Sequence, residues 1–486
     1  MMVNLNFPDQ MIAWVMECVT TTSFSISLNG RLNGFFKGKK GLRLLKSLEG
    51  NFNFKFHPKS KELKIIHLVF ADDLMLFSKG DAISVRFLMD CLNELLTANS
   101  LKSNLYQAGM KPQVLEGILN QTGIKEGKFP FKYLGVPLLP SKLNAVHYRP
   151  LVDRIARWFK GWPGSTLTYA GRLEIINSIV QGFECFWLAI FPIPLNVLNQ
   201  VIKLCRVFLW GGRRKPLVAW SEVYKPKDEG GLGVFDLKSW NRAFLTKALW
   251  NVQAKKDSLW IKWIHQCYLK DTGIWYAATK KEDSPLFKRL VEIKDQLVQK
   301  AGSVAAAIEN MQRIGNEPHM FYDFWRENSH KMPWIKSVWL NGITPKYAFC
   351  LWLGWKGRLP TCDKVYGDGI DPRCTFCNRD METLDHIFFG CKYSAEVMDN
   401  IRNWLGIKRA MTTINAAVKW LHKEAKGFGV HSTGKKIGLA TIVYLIWHSR
   451  NRKRIENHVI PPIDLCKVIQ RHIYRVMFDK FDMFST

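Results

Sequence analysis

The chain has 486 residues, more than a single hydrophobic core usually serves, so two or more domains are expected. Hydrophobic residues make up 47% of it, which is ordinary for a globular protein. It carries 70 Lys and Arg against 41 Asp and Glu, a net charge of +29. This excess excludes an acidic or neutral surface and makes a polyanion the natural partner. The alternative is a basic protein whose charges only face water.

The cysteine content and the start of the chain indicate a reducing compartment. The 11 cysteines are an odd number, and residues 1–9 lack the basic cluster and apolar core of a secretory leader. No uncharged apolar run of about 18 residues occurs, so we expect no spanning helix and no membrane partner. We therefore predict free thiols or metal ligands rather than disulfides, and a nuclear or cytoplasmic location.

The first predicted elements are a helix over residues 11–18, a strand over residues 23–29 and a hairpin over residues 67–81. The hairpin has the sequence HLVFADDLMLFSKGD, in which two apolar runs flank Asp72 and Asp73. Adjacent carboxylates at a hairpin tip are costly unless a cation lies between them, and Mg2+ takes carboxylate oxygens together with substrate phosphates. Paired carboxylates of this kind carry the chemistry of two-metal phosphoryl transfer, but for the pair by itself a solvated turn, where Asp is common, is the more frequent explanation.

Phe-Ala-Asp-Asp between two strands resembles the palm motif of reverse transcriptases, and the longer string resembles the form found in plant non-LTR (LINE-like) retrotransposon polymerases. Further matching segments follow in the same order: LNFP at 5–8, FPFKYLGVPL at 129–138, FLWG at 208–211 and KPKDEGGLG at 225–233. The resemblance implies a partial reverse-transcriptase palm over residues 1–110. It implies that Asp72 and Asp73 are remnants of the catalytic acids and that Lys102 lies near the incoming phosphates.

Two features depart from the family's pattern. In the family, a strand with another catalytic aspartate precedes LNFP, and this chain begins too late to contain it. The Gln-Gly and Ser-Pro block expected after residues 41–43 is also missing, because the chain soon reaches NFNF at residues 51–54. Two-metal transfer needs carboxylates from separate strands, and Asp72 and Asp73 supply one strand alone. We therefore expect a truncated, catalytically defective copy; the alternative is a residual RNA-directed DNA polymerase that uses Mg2+ at Asp72 and Asp73.

Residues 111–260 are predicted to be helical and aromatic. Apolar residues recur at helical spacing in three segments, residues 148–162, 171–183 and 197–210. Three basic residues follow the last segment: Arg213, Arg214 and Lys215. After a palm, three amphipathic helices resemble the thumb and connection of a polymerase, which would follow a nucleic-acid backbone with lysines and arginines. The alternative is a plain helical bundle with a solvated basic face.

Residues 261–330 are predicted to be a joining region. A charged loop at residues 280–283 precedes a predicted helix over residues 287–298. The sequence YDFW at residues 322–325 resembles an aromatic strand of the family, so we expect a strand there.

The clearest metal motif lies in residues 331–400. Cys374, Cys377, His386 and Cys391 follow the spacing Cys-x2-Cys-x8-His-x4-Cys. A Cys-x2-Cys turn presents both thiolates to one ion, and Cys3His is a closed tetrahedral set for Zn2+ that leaves no position for water. We therefore predict a structural zinc site; the alternative is a set of core cysteines that share this spacing by chance.

The residues around these ligands resemble the zinc-binding domain that follows the reverse transcriptase in plant retroelements. The matching segments include GRLPT at 357–361 and ETLDHIFFGC at 382–391. Unlike the palm, this module has all its parts, so we predict a separate domain over residues 331–400. We also expect residues 387–389 to pack into that domain, and the metal to contribute to its folding.

Residues 401–486 are predicted to be a helical, basic C-terminal region. Its longest helix is predicted over residues 437–454. That helix ends in four basic residues that we expect to contact nucleic acid: Arg450, Arg452, Lys453 and Arg454. A ribonuclease H domain follows in some relatives, and because residues 455–486 lack spaced carboxylates on strands, we expect it to be absent.

Together these patterns predict an α+β protein. It would combine a palm remnant, built from an antiparallel hairpin plus helices, with a mostly helical thumb and connection, a small zinc-binding domain and a helical C-terminus. The predicted function is that of a retrotransposon-derived, reverse-transcriptase-like protein that takes structural Zn2+ and binds RNA or DNA without strong sequence preference. Mg2+ is expected only if polymerase activity survives. A third interpretation is a pseudogene-like product without a selected function, and the sequence leaves the oligomeric state open.

Overall fold

The fold was determined as a computed structural model of the chain. The structure describes residues 24–28, 31–36, 45–70, 73–95, 103–162, 167–180, 182, 185–212, 215–270, 272–315, 317–364 and 371–481. The protein is α+β, mostly helical with a few small sheets, as the sequence predicts.

Helices make up most of the fold. In chain order they are α1 (Ala82–Leu95), α2 (Pro112–Thr122), α3 (Arg149–Gly161), α4 (Tyr169–Ile179), α5 (Cys185–Ile190), α6 (Leu195–Leu209), α7 (Trp220–Val223), α8 (Leu237–Gln253), α9 (Leu259–Ile264), α10 (Pro285–Ala301), α11 (Val304–Ile314), α12 (Pro318–Trp325), α13 (Pro345–Trp355), α14 (Lys392–Trp404), α15 (Ile414–Glu424), α16 (Val430–Glu456) and α17 (Pro462–Phe481). Five predicted helices are confirmed as α3, α4, α6, α10 and α16. Among the described helices, none combines the length and the apolarity that crossing a bilayer would require.

Within the described residues, the strands form four two-stranded sheets. The antiparallel pairs are β1 (Phe24–Leu28) with β2 (Arg31–Phe36), β3 (His67–Phe70) with β4 (Asp73–Leu76), and β7 (Phe131–Tyr133) with β8 (Val136–Leu138). The parallel pair is β5 (Asn104–Leu105) with β6 (Lys125–Glu126). The predicted strand over residues 23–29 is confirmed as β1, and the predicted hairpin is confirmed as β3 and β4.

Contacts within the chain divide it into two compact units. The first comprises residues 1–143 and 248–308, and the second comprises residues 144–247 and 309–486. Each unit therefore contains two separate stretches of the sequence. The five-region division predicted from the sequence stays a prediction.

The first unit has a small core next to the β3–β4 hairpin. Six buried side chains form it: Leu45, Leu48, Phe54, Ile66, Leu88 and Cys91. Leu76, at the base of the hairpin, packs against this core. Four other apolar side chains of the hairpin are exposed: Leu68, Val69, Phe70 and Leu74. The hairpin therefore buries part of its base and leaves its apolar tip in solvent.

Helix α13 forms the centre of the second unit. Every residue from Tyr347 to Gly354 is buried, which is typical of a helix covered on all sides. Helices α4, α15 and α16 pack against it. The indole Nε1 of Trp352 donates a hydrogen bond to Gly230 O at 2.9 Å, so a polar atom inside this core has its partner.

The aromatic segment at residues 322–325 is helical, so the strand predicted there is wrong. Helix α12 begins at Pro318, where a proline costs no helical hydrogen bond. Its aromatic residues Phe321, Tyr322 and Trp325 are buried, a spacing that fits one helical face. Trp325 Nε1 donates to Thr246 Oγ1 at 2.7 Å. The strand is expected from the resemblance of these four residues to the family, and the helical spacing appears only when Phe321 in the preceding turn is included.

Candidate metal centre

The segment between α13 and α14 contains a short antiparallel turn that carries the first two predicted ligands. Arg373 and Met381 form an isolated antiparallel bridge, and Cys374 N donates to Asp380 O at 2.7 Å. These contacts bring the two arms of the turn side by side.

The tip of this turn points Cys374 and Cys377 toward one another. Asn378 N donates to Cys374 O at 2.8 Å, and Asn378 adopts a left-handed conformation with φ of +53°. Asn accepts this conformation more readily than most residues because its short polar side chain can bond to nearby backbone. The backbone amides of Phe376 and Cys377 hydrogen-bond the sulfur of Cys374.

The second predicted ligand pair lies at the two ends of a π-helical turn, His386–Gly390. Cys391 N donates to His386 O at 2.6 Å, and Cys391 is the N-cap residue of α14. Between the two ligands, Ile387 and Phe388 are fully buried and Phe389 is half-buried. The predicted packing of this segment into the core is confirmed for Ile387 and Phe388.

The four predicted ligand atoms converge on one point. One donor atom from each of Cys374, Cys377, His386 and Cys391 lies within 4.8 Å of the other three. Cys374 Sγ is 3.8 Å from Cys391 Sγ, and Cys377 Sγ is 3.4 Å from His386 Nε2. In a tetrahedral site with Zn–S bonds of about 2.3 Å, two sulfur ligands lie about 3.8 Å apart. The arrangement therefore fits one Zn2+ held by these four side chains.

The electrostatics of the cluster suit a cation. The Cys374 thiol donates a hydrogen bond to Cys391 Sγ, which raises the pKa of Cys374 and lowers the pKa of Cys391. The backbone amides of Tyr393 and Ser394, in the first turn of α14, also act to lower the pKa of Cys391. A divalent ion would replace the shared proton and favour the thiolate at both positions.

A carboxylate lies on the side of the His386 ring opposite Cys377. The ring Nε2 faces Cys377, while the ring Nδ1 lies 3.7 Å from Asp380 Oδ2. This separation is longer than a hydrogen bond, so the carboxylate acts on the ring through its charge. Gly390 lies so close that a Cβ at this position would be 3.3 Å from His386 Nδ1, so a larger residue would press on the ring.

Comparison with known proteins places this site in a family. Residues 318–397 match the family described as zinc-binding in reverse transcriptase, and the match includes all four ligands. Residues 318–397 are therefore similar to a zinc-binding domain of reverse transcriptases. Residues 318–397 are called the zinc-binding segment below.

A curated relative points the same way. The chain is 35% identical over 129 residues to a putative ribonuclease H protein of Arabidopsis thaliana, which covers 26% of this chain and 21% of the relative. The chain therefore spans about a fifth of the length of the curated relative it matches. Together the two matches support a retrotransposon-related protein.

A buried carboxylate lies inside the zinc-binding segment. Glu382 has no exposed surface; its Oε2 accepts from Thr375 N at 3.1 Å and from Thr375 Oγ1 at 2.7 Å, and its Oε1 accepts from Cys362 N at 3.0 Å. The guanidinium of Arg450 donates to both carboxylate oxygens. Burial by itself raises the pKa of Glu382, but hydrogen bonds from Arg450 and Thr375 outweigh it and lower the pKa to about 2. Glu382 thus ties the ligand turn to helix α16.

Arg450 has an internal role. Its side chain is buried, and its guanidinium lies 4.8 Å from the centre of the Trp447 ring. Its charge is matched by Glu382. Because its neighbours are basic, the sequence predicts that Arg450 contacts nucleic acid. The structure corrects that prediction, because the Arg450 side chain is buried and paired with Glu382.

Two further basic residues of α16 contact the zinc-binding segment. Lys453 Nζ donates to Phe376 O at 3.1 Å, in the turn between the first two ligands. Arg454 donates to Cys362 Sγ at 3.2 Å. The Phe376 ring also stacks on Tyr393 of α14, with ring centres 4.1 Å apart. The ligand turn is therefore held by contacts from both α14 and α16.

The other predicted site residues vary in setting. Four lie outside the described residues: Asp72, Lys102, Arg213 and Arg214. Asp73 is exposed at the start of β4, opposite Phe70. Lys215 is exposed, and Arg452 pairs with Glu456 at the surface, with Nε 3.0 Å from the carboxylate.

The sequence pattern misses Glu382 and Tyr393, although both hold the ligand turn in place. Glu382 lies inside the matching string ETLDHIFFGC, which is the one signal that marks it. Its partner Arg450 is 68 residues further along the chain, so no local spacing connects the two.

Proposed function

We propose that the chain is a plant non-LTR retrotransposon-derived, reverse-transcriptase-like protein that binds RNA or DNA without strong sequence preference and does not polymerise. The observation that carries the proposal is the convergence of Cys374, Cys377, His386 and Cys391 inside a segment that matches the reverse-transcriptase zinc-binding family. The net charge of +29 supports a polyanionic partner. The ribonuclease H name of the relative supports the same class of partner.

The role proposed for Zn2+ is structural. Thiolate and imidazole are donors that suit Zn2+, whereas Mg2+ prefers oxygen. Four protein ligands leave no position open for water, so the ion would supply folding energy and no reactive group. The residues that would hold it are Cys374, Cys377, His386 and Cys391.

Nucleic-acid contact is proposed for the basic residues of two sequence clusters, residues 213–215 and 452–454. Lys215 is exposed, and Arg213 and Arg214 precede it in the sequence. In α16, Arg454 is exposed, and Arg452 and Lys453 are half-buried. Arg450 is left out of this set because Glu382 takes up its charge.

The test is the salt dependence of binding. We expect the zinc-loaded chain to bind a fluorescent 20-nucleotide oligonucleotide, with log affinity falling linearly as log salt rises, by about 0.7 per phosphate contact on a single strand. Fluorescence anisotropy at a series of KCl concentrations measures this slope. No binding at low salt, or an affinity that stays flat as salt rises, would contradict the electrostatic proposal and favour a product without this function.

The proposed loss of polymerase activity has a structural basis in the hairpin. Two-metal phosphoryl transfer needs carboxylates that converge from separate strands, held to within about half an ångström. In the part of the chain that the structure describes, β3 and β4 pair only with one another, and Asp73 is exposed. We expect no template-directed nucleotide incorporation with Mg2+ in a primer-extension assay. Extension that disappears in an Asp72→Ala variant would favour the residual polymerase instead.

A further inference from the structure

Five side chains from three helices of the second unit meet in one patch. They are Lys346 of α13, Tyr444 and His448 of α16, and His472 and Arg475 of α17. Lys346 Nζ lies 5.3 Å from the centre of the Tyr444 ring, and Tyr444 in turn stacks with His448. The His472 ring centre lies 4.7 Å from that of Tyr347, the residue next to Lys346, and Arg475 lies three residues after His472 on α17. These five residues are called the α13–α16–α17 patch.

The patch contains a stack of three rings that ends in solvent. Tyr347 is buried, and its ring centre lies 4.3 Å from that of Tyr444 at an interplanar angle of 25°. Tyr444 is followed by His448 at 5.9 Å and 21°. His448 is exposed, so the last ring of the stack is open to a further flat group.

The same patch has unbalanced positive charge. Neither Lys346 nor Arg475 forms an ion pair with a carboxylate of the described residues, and Arg475 is exposed. Partial burial lowers the pKa of His472, and Lys346 and Arg475 lower it further. The positive electrostatic potential that makes protonation of His472 less favourable also attracts a negatively charged phosphate group.

His448 lies in the same field. Partial burial lowers its pKa, and Arg452 and Lys346 lower it further, while Glu456 acts in the opposite direction. Arg452 is paired with that same Glu456, so Lys346 is the cation near His448 that lacks an acidic partner among the described residues. At neutral pH His448 therefore offers a neutral ring beside a free positive charge.

We propose, building on the nucleic-acid binding proposed above, that this patch binds a single-stranded segment of RNA or DNA. One base would stack on the outer face of His448, and the flanking phosphates would contact Lys346 and Arg475. Every base has a face that can stack, so such a site tolerates any sequence. A duplex keeps its bases inside the helix, so it would use the charges of the patch and leave the ring unused.

The first experiment removes the stacking ring. Fluorescence anisotropy at neutral pH compares the zinc-loaded chain with His448→Ala and His448→Phe variants, using a labelled 20-nucleotide oligo(dT) and a 20-base-pair duplex. We expect His448→Ala to weaken single-strand binding about fivefold or more, and the duplex to be unaffected. His448→Phe should restore single-strand binding because it keeps a flat ring. Because the side chain is exposed, zinc content and melting temperature should stay unchanged.

The second experiment removes the charges. We expect Lys346→Gln and Arg475→Gln each to reduce the salt slope for oligo(dT) by about 0.7, whereas His448→Ala leaves the slope unchanged. The matched control is Lys419→Gln, which removes an exposed lysine from α15. Arg475→Gln lies at an exposed position, so it tests the charge contact even if Lys346→Gln disturbs the packing of the tyrosines.

The outcomes separate this inference from the proposed function. If the unaltered chain binds oligo(dT) but the patch variants behave like Lys419→Gln, the patch is overturned and nucleic-acid binding stands. If His448→Ala and the unaltered chain bind oligo(dT) equally, or if the duplex binds more tightly and depends on the patch, the single-strand assignment is wrong. If the unaltered chain binds neither oligonucleotide, the proposed function itself fails.

Discussion

The cysteine–histidine turn and the β3–β4 hairpin are the two short segments in which the sequence predicts metal ligands. The structure brings the predicted ligands together in the turn alone, among the described residues. The turn gathers four donor atoms within 4.8 Å, backed by buried side chains. The hairpin has the expected strands, but Phe70 is 59% exposed and Asp73 lies in solvent. The zinc ligands come from one short stretch, whereas a palm site needs carboxylates from separate strands. A metal site whose ligands are close together in the sequence can form within one segment. A site whose ligands are far apart in the sequence needs other segments to bring them together.

The turn that carries the zinc ligands also depends on helix α16, which lies far from it in the sequence. Glu382 is locked by Arg450, and Phe376 O accepts from Lys453, both from α16. The ligands are local, while the supports that fix their orientation are not. Four substitutions test this contrast, and their expected effects fall from the ligands to the supports and then to the hairpin.

The largest effect is expected for Cys377→Ser. Losing one of four ligands should reduce zinc affinity by more than the 10–100-fold typical of losing an outer support, and the folding energy that the metal supplies should be lost with it. Metal analysis after chelator competition, with thermal unfolding, measures both. The control is Cys466→Ser, at a buried cysteine of the same unit that is not a predicted ligand and whose sulfur donates to Val397 O. The assignment of Cys377 as a zinc ligand would be wrong if Cys377→Ser bound as much zinc as the unaltered chain, or if Cys466→Ser lost as much zinc as Cys377→Ser.

A smaller but still large effect is expected for Arg450→Met. It leaves the carboxylate of Glu382 buried without its partner, which should cost about 3–5 kcal/mol of unfolding free energy. Arg452→Gln is the control two residues away, since its pair with Glu456 is at the surface and should contribute under about 1 kcal/mol. Urea unfolding of the zinc-loaded chain compares the two. Similar losses in both variants would mean that the buried pair does not support the turn.

The zinc ligands and their supporting residues show how much of the fold and of the site can be predicted from the sequence. The four ligands, the hairpin and the amphipathic helices such as α3 follow from spacing and periodicity, because the relevant physics is local. The burial of Arg450 does not follow, because its acid partner is 68 residues away and its neighbours are surface cations. The helix at residues 322–325 is missed for a related reason: the burial that decides it comes from packing against the rest of the unit.

Acid should weaken the same support. The pKa of Glu382 is lowered from 4.5 to about 2 in the folded chain, so its contribution is present above about pH 4.5 and is lost as the pH falls through about 2. A shift of this size corresponds to about 3 kcal/mol. Urea unfolding between pH 5 and pH 2 should show the stability advantage over a Glu382→Gln variant shrinking by about that amount. Both proteins are measured free of zinc at every pH, so zinc release does not enter the comparison. A difference in stability that stays constant from pH 5 to pH 2 would contradict the assignment.

The smallest effect is expected at the hairpin. Phe70→Ala removes an exposed ring and should change the unfolding free energy by no more than about 0.5 kcal/mol. Phe388→Ala removes a fully buried ring next to the zinc ligands and should cost about 3–5 kcal/mol. Both variants make the same chemical change, so urea unfolding of the two isolates burial as the cause. A large loss of stability in Phe70→Ala would show that the hairpin tip is covered in solution. The contrast between the buried surroundings of the zinc ligands and the exposed hairpin would then weaken.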